Sequence, residues 1–341
     1  MDARISQISL RSAALSVADL VLPRVCIVCG RTLLLSETHL CTACAADLPR
    51  TFFAGVRENP MAVGFNAMVE RELGADAGQR QRAAAGSQSP SGLRSLRSLR
   101  PLPASSASSL CDNLLPLGPS PCPCPGVDTP SGACSLPNNQ PYSYAAALFF
   151  YRGDSPYSLI PQSLKYGRNF EAGRHFARML GRELAGSPLF ADVNAVIPVP
   201  LHWLRRWRRG YNQAEVIARG VAEELEAPVL TGVLRRVRRT RTQTRLDAAG
   251  RYGNVRSAFV ADGRSLASGL AAAVSAPESR TSAPVSPDRP YHLLLVDDVF
   301  TTGATLLACE RALRAGLAAA FSPETASRIR ISVATLAYVG R

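Results

Sequence analysis

His292-Leu-Leu-Leu-Val-Asp297-Asp298-Val-Phe-Thr301-Thr302-Gly303-Ala304-Thr305 is the stretch on which the fold turns. The apolar run through Val296 reads as a buried strand, and Leu306, Cys309, Leu313 and Leu317 recur at helical spacing after it. Between strand and helix lie two carboxylates and a tight, hydroxyl-rich turn. Ligands of open α/β sheets bind at this carboxyl edge. Helix N-terminal amides, with the hydroxyls of Thr301, Thr302 and Thr305, can cage a phosphate around Ala304, and Gly303 admits close backbone approach. The paired Asp297 and Asp298 suit ribose hydroxyls or a hydrated magnesium ion. A bare helix cap followed by solvated aspartates is the plainer reading, but nine residues in this order outweigh it.

Outward from this stretch, apolar strands alternate with amphipathic helices, the pattern of a parallel sheet with crossover helices. Strands are predicted over Tyr144–Tyr151, Ala195–Val199, His292–Val296 and Ile329–Tyr338. A helix over Glu171–Leu184 buries Ala172, Phe176, Met179, Leu180 and Leu184. Another opens at Asn212 as cap, with Glu215 three residues on completing a capping box. Cys309 falls on an apolar helix face and belongs to the core.

The 341 residues leave room for one α/β domain and accessories, since single cores stop growing at about 250 residues. Residues 1–25 form an amphipathic helix or tail closed by Pro23, 26–54 a cysteine module, and 142–341 the main domain. Ser, Pro, Gly, Ala and Arg dominate 55–141, which reads as a disordered insertion, and a similar insert falls at 265–289. No apolar run reaches the roughly 20 residues of a membrane span, and no secretory h-region opens the chain, so the cytoplasm is expected.

A net charge of +13 suits a phosphate-rich partner, either nucleic acid or a polyphosphorylated small molecule. Of the 39 basic side chains, 38 are arginine and one is lysine, Lys165. Codon usage accounts for the bias, and the retained lysine is a candidate phosphate contact. In His202-Trp-Leu-Arg-Arg-Trp-Arg-Arg209 two tryptophans interleave with four arginines, a mixture able to stack bases and neutralise phosphates of single-stranded DNA. The same run also suits aromatics packed under a sheet edge with solvated arginines.

Cys26-Ile-Val-Cys29 and Cys41-Thr-Ala-Cys44 form two knuckles whose four thiolates can close around one zinc ion. With no position left for water, the role is structural. Disulfides are disfavoured in the expected compartment.

The strand, acidic pair and Thr/Gly/Thr turn resemble the diphosphate-sugar motif of type I phosphoribosyltransferases. Leu164-Lys-Tyr-Gly-Arg168, Ile197-Pro-Val-Pro-Leu201, Arg209-Gly-Tyr-Asn-Gln-Ala-Glu215 and Arg239-Thr240 through Phe259 narrow the resemblance to the ComF family of competence-associated proteins, over 142–260 and 290–338. The resemblance implies a magnesium-dependent site for 5-phosphoribosyl diphosphate or a related sugar phosphate. In it Pro198, Val199 and Pro200 face the diphosphate, Asp297 and Asp298 the ribose, and Thr301 to Thr305 the 5-phosphate. Arg236 to Leu246 becomes a mobile basic lid that brings Arg238, Arg239 or Arg241 onto the leaving diphosphate. Cys111, Cys122, Cys124 and Cys134 fall where such relatives often carry further cysteine pairs, but their spacing argues against a second zinc site.

Two functions are therefore expected. One is phosphoribosyl transfer to an unknown acceptor through a nitrogen nucleophile, the other a non-catalytic component of DNA uptake that keeps the pocket and meets single-stranded DNA and uptake proteins. A nucleic-acid-binding zinc protein is a weaker third. Acceptor choice falls to a hood including Tyr142–Tyr166, which carries no readable chemistry.

Overall fold

Leu293, Leu294, Leu295 and Val296 are wholly buried, as befits a strand covered on both faces. A computed structural model describes residues 23–86, 140–166, 169–202, 204, 206–207, 210–237, 258–275 and 291–340. In chain order these form α1 (Thr42–Ala46), α2 (Pro60–Gly86), β1 (Ala145–Phe150), α3 (Leu159–Tyr166), α4 (Phe170–Ala185), β2 (Ala195–Pro198) and α5 (Gln213–Leu225). There follow β3 (Leu234–Arg236), β4 (Phe259–Ala261), α6 (Gly263–Ser275), β5 (His292–Phe300), α7 (Ala304–Ala320), α8 (Pro323–Arg328) and β6 (Arg330–Tyr338). The chain divides into Met1–Glu72 with Cys134–Arg341, and Leu73–Ala133. The sheet, the cysteine module and the described site residues belong to the first unit.

Four strands stand in the order β1-β6-β5-β2, all pairs parallel. The fold is thus α/β with a parallel sheet and crossover helices, as the sequence pattern predicts. The register places Phe150 beside Tyr338 and Tyr338 beside Phe300, so the strands reach the same carboxyl edge together. Helices α4 and α5 pack closely: a Cβ added at Gly220 would lie 2.6 Å from Ala177 Cβ. Helix α7 packs against α6 and the antiparallel β3–β4 ribbon.

The opposite end of the sheet is tied by His292, wholly buried. Its ring bonds Asp192 Oδ1 at 2.6 Å and Ser332 Oγ at 2.7 Å. Burial pulls its pKa down, against the pull of Asp192.

Three expectations need correction. The stretch 55–141 opens as helix α2, with Met61, Ala62, Phe65 and Val69 buried; an apolar face of little more than two turns on the core suffices where the average composition looks disordered. Residues 265–275, placed in the second insert, lie in α6, and Leu266, Leu270 and Ala273 are buried at helical spacing. The Asn212 side chain makes no capping bond: its Nδ2 donates to Val199 O instead, and Glu215 pairs with Arg219 at 2.8 Å. The predicted N-terminal helix up to Leu22, Cys111, Cys122, Cys124, Cys134 and the later parts of both inserts lie outside the described residues.

Among the described residues no helix is long and apolar enough to cross a membrane.

Candidate functional site

Strand β5 carries Asp297 and Asp298 to the carboxyl edge, where Asp298 N–H donates to Asp297 Oδ1 at 2.9 Å. Lys165, in the last turn of α3, sets its ammonium 3.0 Å from Asp298 Oδ2. Protein surrounds Asp297 on most sides while part of the residue still meets solvent. Burial and the Asp298 charge push its carboxyl up to about 7, against the opposing pull of Lys165 and Arg236. Such a shift, in a carboxylate pair with a charge partner, makes this edge a functional-site candidate.

Beyond the pair, Thr301 and Thr302 are exposed and Thr305 half-buried. Gly303 is buried with φ +76 and starts α7. A Cβ there would clash with Met68 of α2 and lie 2.7 Å from Phe300 Cζ. Glycine is therefore required twice, for its left-handed backbone and for its lack of bulk. The turn leaves Ala304 and Thr305 in the first turn of α7, whose leading amides have no intrahelical acceptor.

Val199 follows the end of β2, its N–H donating to Val296 O at 2.9 Å. Asn212 Nδ2 donates to the Val199 carbonyl at 3.0 Å, so the Pro198-Val199-Pro200 turn is fixed beside β5. Asn212 Oδ1 and Gln213 Nε2 are buried without a hydrogen-bond partner.

Lys165, Pro198, Val199, Pro200, Asp297, Asp298 and Thr301 to Thr305 are thus carried to one sheet edge. Arg239 and Arg241, with Arg238, lie outside the described residues. Arg236, expected as the first residue of the mobile lid, instead ends β3, paired with Phe259, and its charge reaches Asp297 from there. Sequence reasoning missed Asn212 as the clamp on Val199; the Gly-Tyr-Asn-Gln run entered only as a helix cap and as part of the family resemblance. Trp207 is 81% exposed, with Arg206 exposed beside it.

At the N-terminus the Sγ atoms of Cys26, Cys29, Cys41 and Cys44 all lie within 4.8 Å of one another. Cys29 Sγ and Cys41 Sγ are 3.7 Å apart. A zinc tetrahedron with bonds near 2.3 Å has edges of about 3.8 Å, so the thiols are placed to hold that ion. Burial pushes the Cys26 thiol up, but backbone N–H groups of Cys29, Cys41 and Val28 outweigh it and hold it at about 6. Burial and the neighbouring thiols push Cys44 up. Glu37 ties the module internally, accepting from Thr42 N at 2.6 Å and Leu34 N at 2.8 Å. Pro49 to Thr51 then lie against the outer edge of β1, with Phe150 N donating to Pro49 O at 2.8 Å.

Fold and site together define an α/β protein with a ligand site at the carboxyl edge of a parallel sheet and an N-terminal four-thiol module. Competence protein F of Haemophilus influenzae is 35% identical over 163 residues, covering 47% of this chain and 62% of that protein. DNA utilization protein YhgH of Salmonella typhi is 30% identical over 195 residues, covering 54% and 74%, and that of Escherichia coli K12 27% over 180 residues, covering 52% and 68%. The chain belongs to the ComF family. No family model matches it.

Proposed function

We propose that this protein acts in DNA uptake and binds 5-phosphoribosyl diphosphate with magnesium at the carboxyl edge of its sheet, transferring the phosphoribosyl group to a nitrogen acceptor. The names of its relatives support the process. The single observation behind the pocket is the acidic pair, with Lys165 on Asp298, immediately before the glycine-led start of α7. Asn212 Oδ1, on the amide that holds the Val199 turn, also lacks a partner, a penalty of about 1–3 kcal/mol that a water of the diphosphate's shell relieves by donating to it.

Asp297 and Asp298 are oxygen donors suited to a hydrated magnesium ion or to the ribose hydroxyls. Magnesium on the diphosphate supplies positive charge to the leaving group. Thr301 to Thr305 cradle the 5-phosphate, Pro198 to Pro200 face the diphosphate, and Arg239 and Arg241 supply charge to the leaving group. Such transfer needs positioning and charge stabilisation rather than a covalent nucleophile. The four cysteines hold a structural zinc.

Calorimetric titration with 5-phosphoribosyl diphosphate and magnesium tests this reading. Native protein is expected to bind at about −8 kcal/mol, micromolar affinity, and a folded Asp297→Asn/Asp298→Asn variant not at all. A folded native protein that does not bind removes the enzyme reading.

A second reading is favoured by Trp207, whose exposure is unusual for so large an apolar ring: a non-catalytic component that stacks single-stranded DNA there. Loss of oligonucleotide binding in Trp207→Ala, with sugar-phosphate binding intact, is its expected signature.

A further inference from the structure

The four-thiol cluster is shielded unevenly. Cys26 and Cys41 are each 2% exposed, Cys44 is half-buried and Cys29 is exposed. The two knuckles account for the difference. After Cys29 the chain reverses at Gly30, whose φ is +71 and where an added Cβ would meet nothing within 4 Å. Glycine takes that left-handed turn without strain, and the first knuckle opens to solvent. The second knuckle is covered, since Tyr157 Oη donates to Cys44 O at 3.1 Å.

Behind the exposed thiol stands a buried one. Cys29 Sγ and Cys41 Sγ are 3.7 Å apart, and need approach by less than about 2 Å to bond. The backbone on both sides is braced. Glu37 accepts from Leu34 N at 2.8 Å and from Thr42 N at 2.6 Å, pinning the residue after Cys41 to the arm that follows Cys29. Ile27 N donates to His39 O at 3.0 Å, which joins the arms again. Thiols that respond to oxidants combine exposure with a resolving thiol in reach, and within this cluster Cys29 and Cys41 supply the two parts.

We propose that Cys29 is a modification site, oxidised by a hydroperoxide and resolved by Cys41, which makes the module a redox switch on its own fold. The inference rests on the zinc reading of the four cysteines and not on the sugar-phosphate reading. First the Cys29 thiolate attacks a peroxide oxygen. The O–O bond breaks, its electron pair leaves as hydroxide, and Cys29 becomes a sulfenic acid. The Cys41 thiolate then attacks that sulfur, the S–O bond breaks, and a second hydroxide leaves as the disulfide forms. Both sulfurs are oxidised and both peroxide oxygens reduced. Cys26 and Cys44 remain, too few to retain a tetrahedral ion. Oxidation thus loosens the module and, through Tyr157, the turn into α3, while Lys165 stays on Asp298. A dithiol restores the thiols.

The test treats the full, zinc-loaded chain with hydrogen peroxide, following zinc release with a chromophoric chelator and mapping disulfides by mass spectrometry. Native protein is expected to release zinc in step with a Cys29–Cys41 disulfide, to melt at a lower temperature, and to rebind zinc after dithiothreitol. With limiting N-ethylmaleimide, Cys29 is expected to be labelled before Cys26, Cys41 and Cys44. Cys29→His keeps a nitrogen ligand without the thiol, and is expected to hold zinc and lose the peroxide response. Should that variant fail to hold zinc, the order of labelling in native protein still decides. A chain with Cys111, Cys122, Cys124 and Cys134 replaced by serine is expected to respond as native protein does. Zinc release without a Cys29–Cys41 disulfide, labelling that starts at another thiol of the cluster, or an unchanged peroxide response in zinc-loaded Cys29→His overturns the proposal. A native chain that holds zinc and ignores peroxide overturns the switch alone, whereas one that holds no zinc overturns the zinc reading with it.

Discussion

Lys165 Nζ and Asp298 Oδ2 stand 3.0 Å apart, joining the end of α3 to the end of β5 across the sheet's carboxyl edge. The side chains are 28% and 16% exposed, so the pair contributes no more than about 1 kcal/mol to folding. Its consequence is electrostatic: one ammonium offsets one of two adjacent carboxylates. Lys165→Met is therefore expected to lower affinity for 5-phosphoribosyl diphosphate about 10-fold or more, as loss of a charged phosphate contact does, with thermal stability nearly unchanged. A large drop in melting temperature with affinity retained would assign Lys165 to the scaffold instead.

The raised Asp297 carboxyl, at about 7 against an ordinary 3.8, sets a pH dependence. Between those values the folded chain keeps a proton that the unfolded chain has lost, so the Asp297 contribution to stability falls as pH rises through the window. His292 acts in the other direction: its pKa is lowered by burial, so its contribution is lost as pH falls below the ordinary histidine value. Melting curves of native protein and Asp297→Asn across that range separate the two. The variant is expected to gain stability relative to native protein as pH rises, and a constant difference refutes the shift. Magnesium-dependent binding in native protein is expected to strengthen over the same interval, because the carboxyl must ionise.

The four strands were legible because parallel strands buried on both faces read as apolar runs, and the edge loop because its residue types follow in order along the chain. Helix α2 was not. Its anchor is an apolar face of little more than two turns, and its buried Asn66 is satisfied from far away, accepting from Ser143 N at 3.0 Å and donating to Ser143 O at 2.8 Å. No local pattern announces a partner at that separation. The same holds for Met68, which packs on Gly303. Tyr157 carried no readable chemistry because its hydroxyl meets Cys44 O only once the cysteine module lies against β1.

Gly303 offers a sharper test of the loop. Its φ of +76 costs an L-residue roughly 1–2 kcal/mol, and the contacts with Phe300 and Met68 add to that. Gly303→Ala is expected to lose about 2 kcal/mol or more of stability in denaturant titration, together with sugar-phosphate binding. A Met68→Ala/Gly303→Ala double variant relieves one clash but not the backbone, and so recovers part of the stability. Full recovery would mean that the left-handed turn is not required.

Zinc removal distinguishes a structural metal from one at the ligand site. The cysteine module touches the sheet through Pro49 to Thr51, and Cys44 O holds Tyr157, whereas Lys165 at the far end of α3 is held by Asp298. Chelation, or Cys41→Ser at the buried thiol, is expected to release one zinc per module and lower the melting temperature, because the module has little apolar core of its own. Helix α3 then loses its first anchor and keeps its second. Binding of 5-phosphoribosyl diphosphate is expected to persist within a few-fold. If zinc removal abolished sugar-phosphate binding in a chain whose sheet remained folded, the metal would have to act at the carboxyl edge, a role that the closed four-thiol cluster leaves no coordination position to fill.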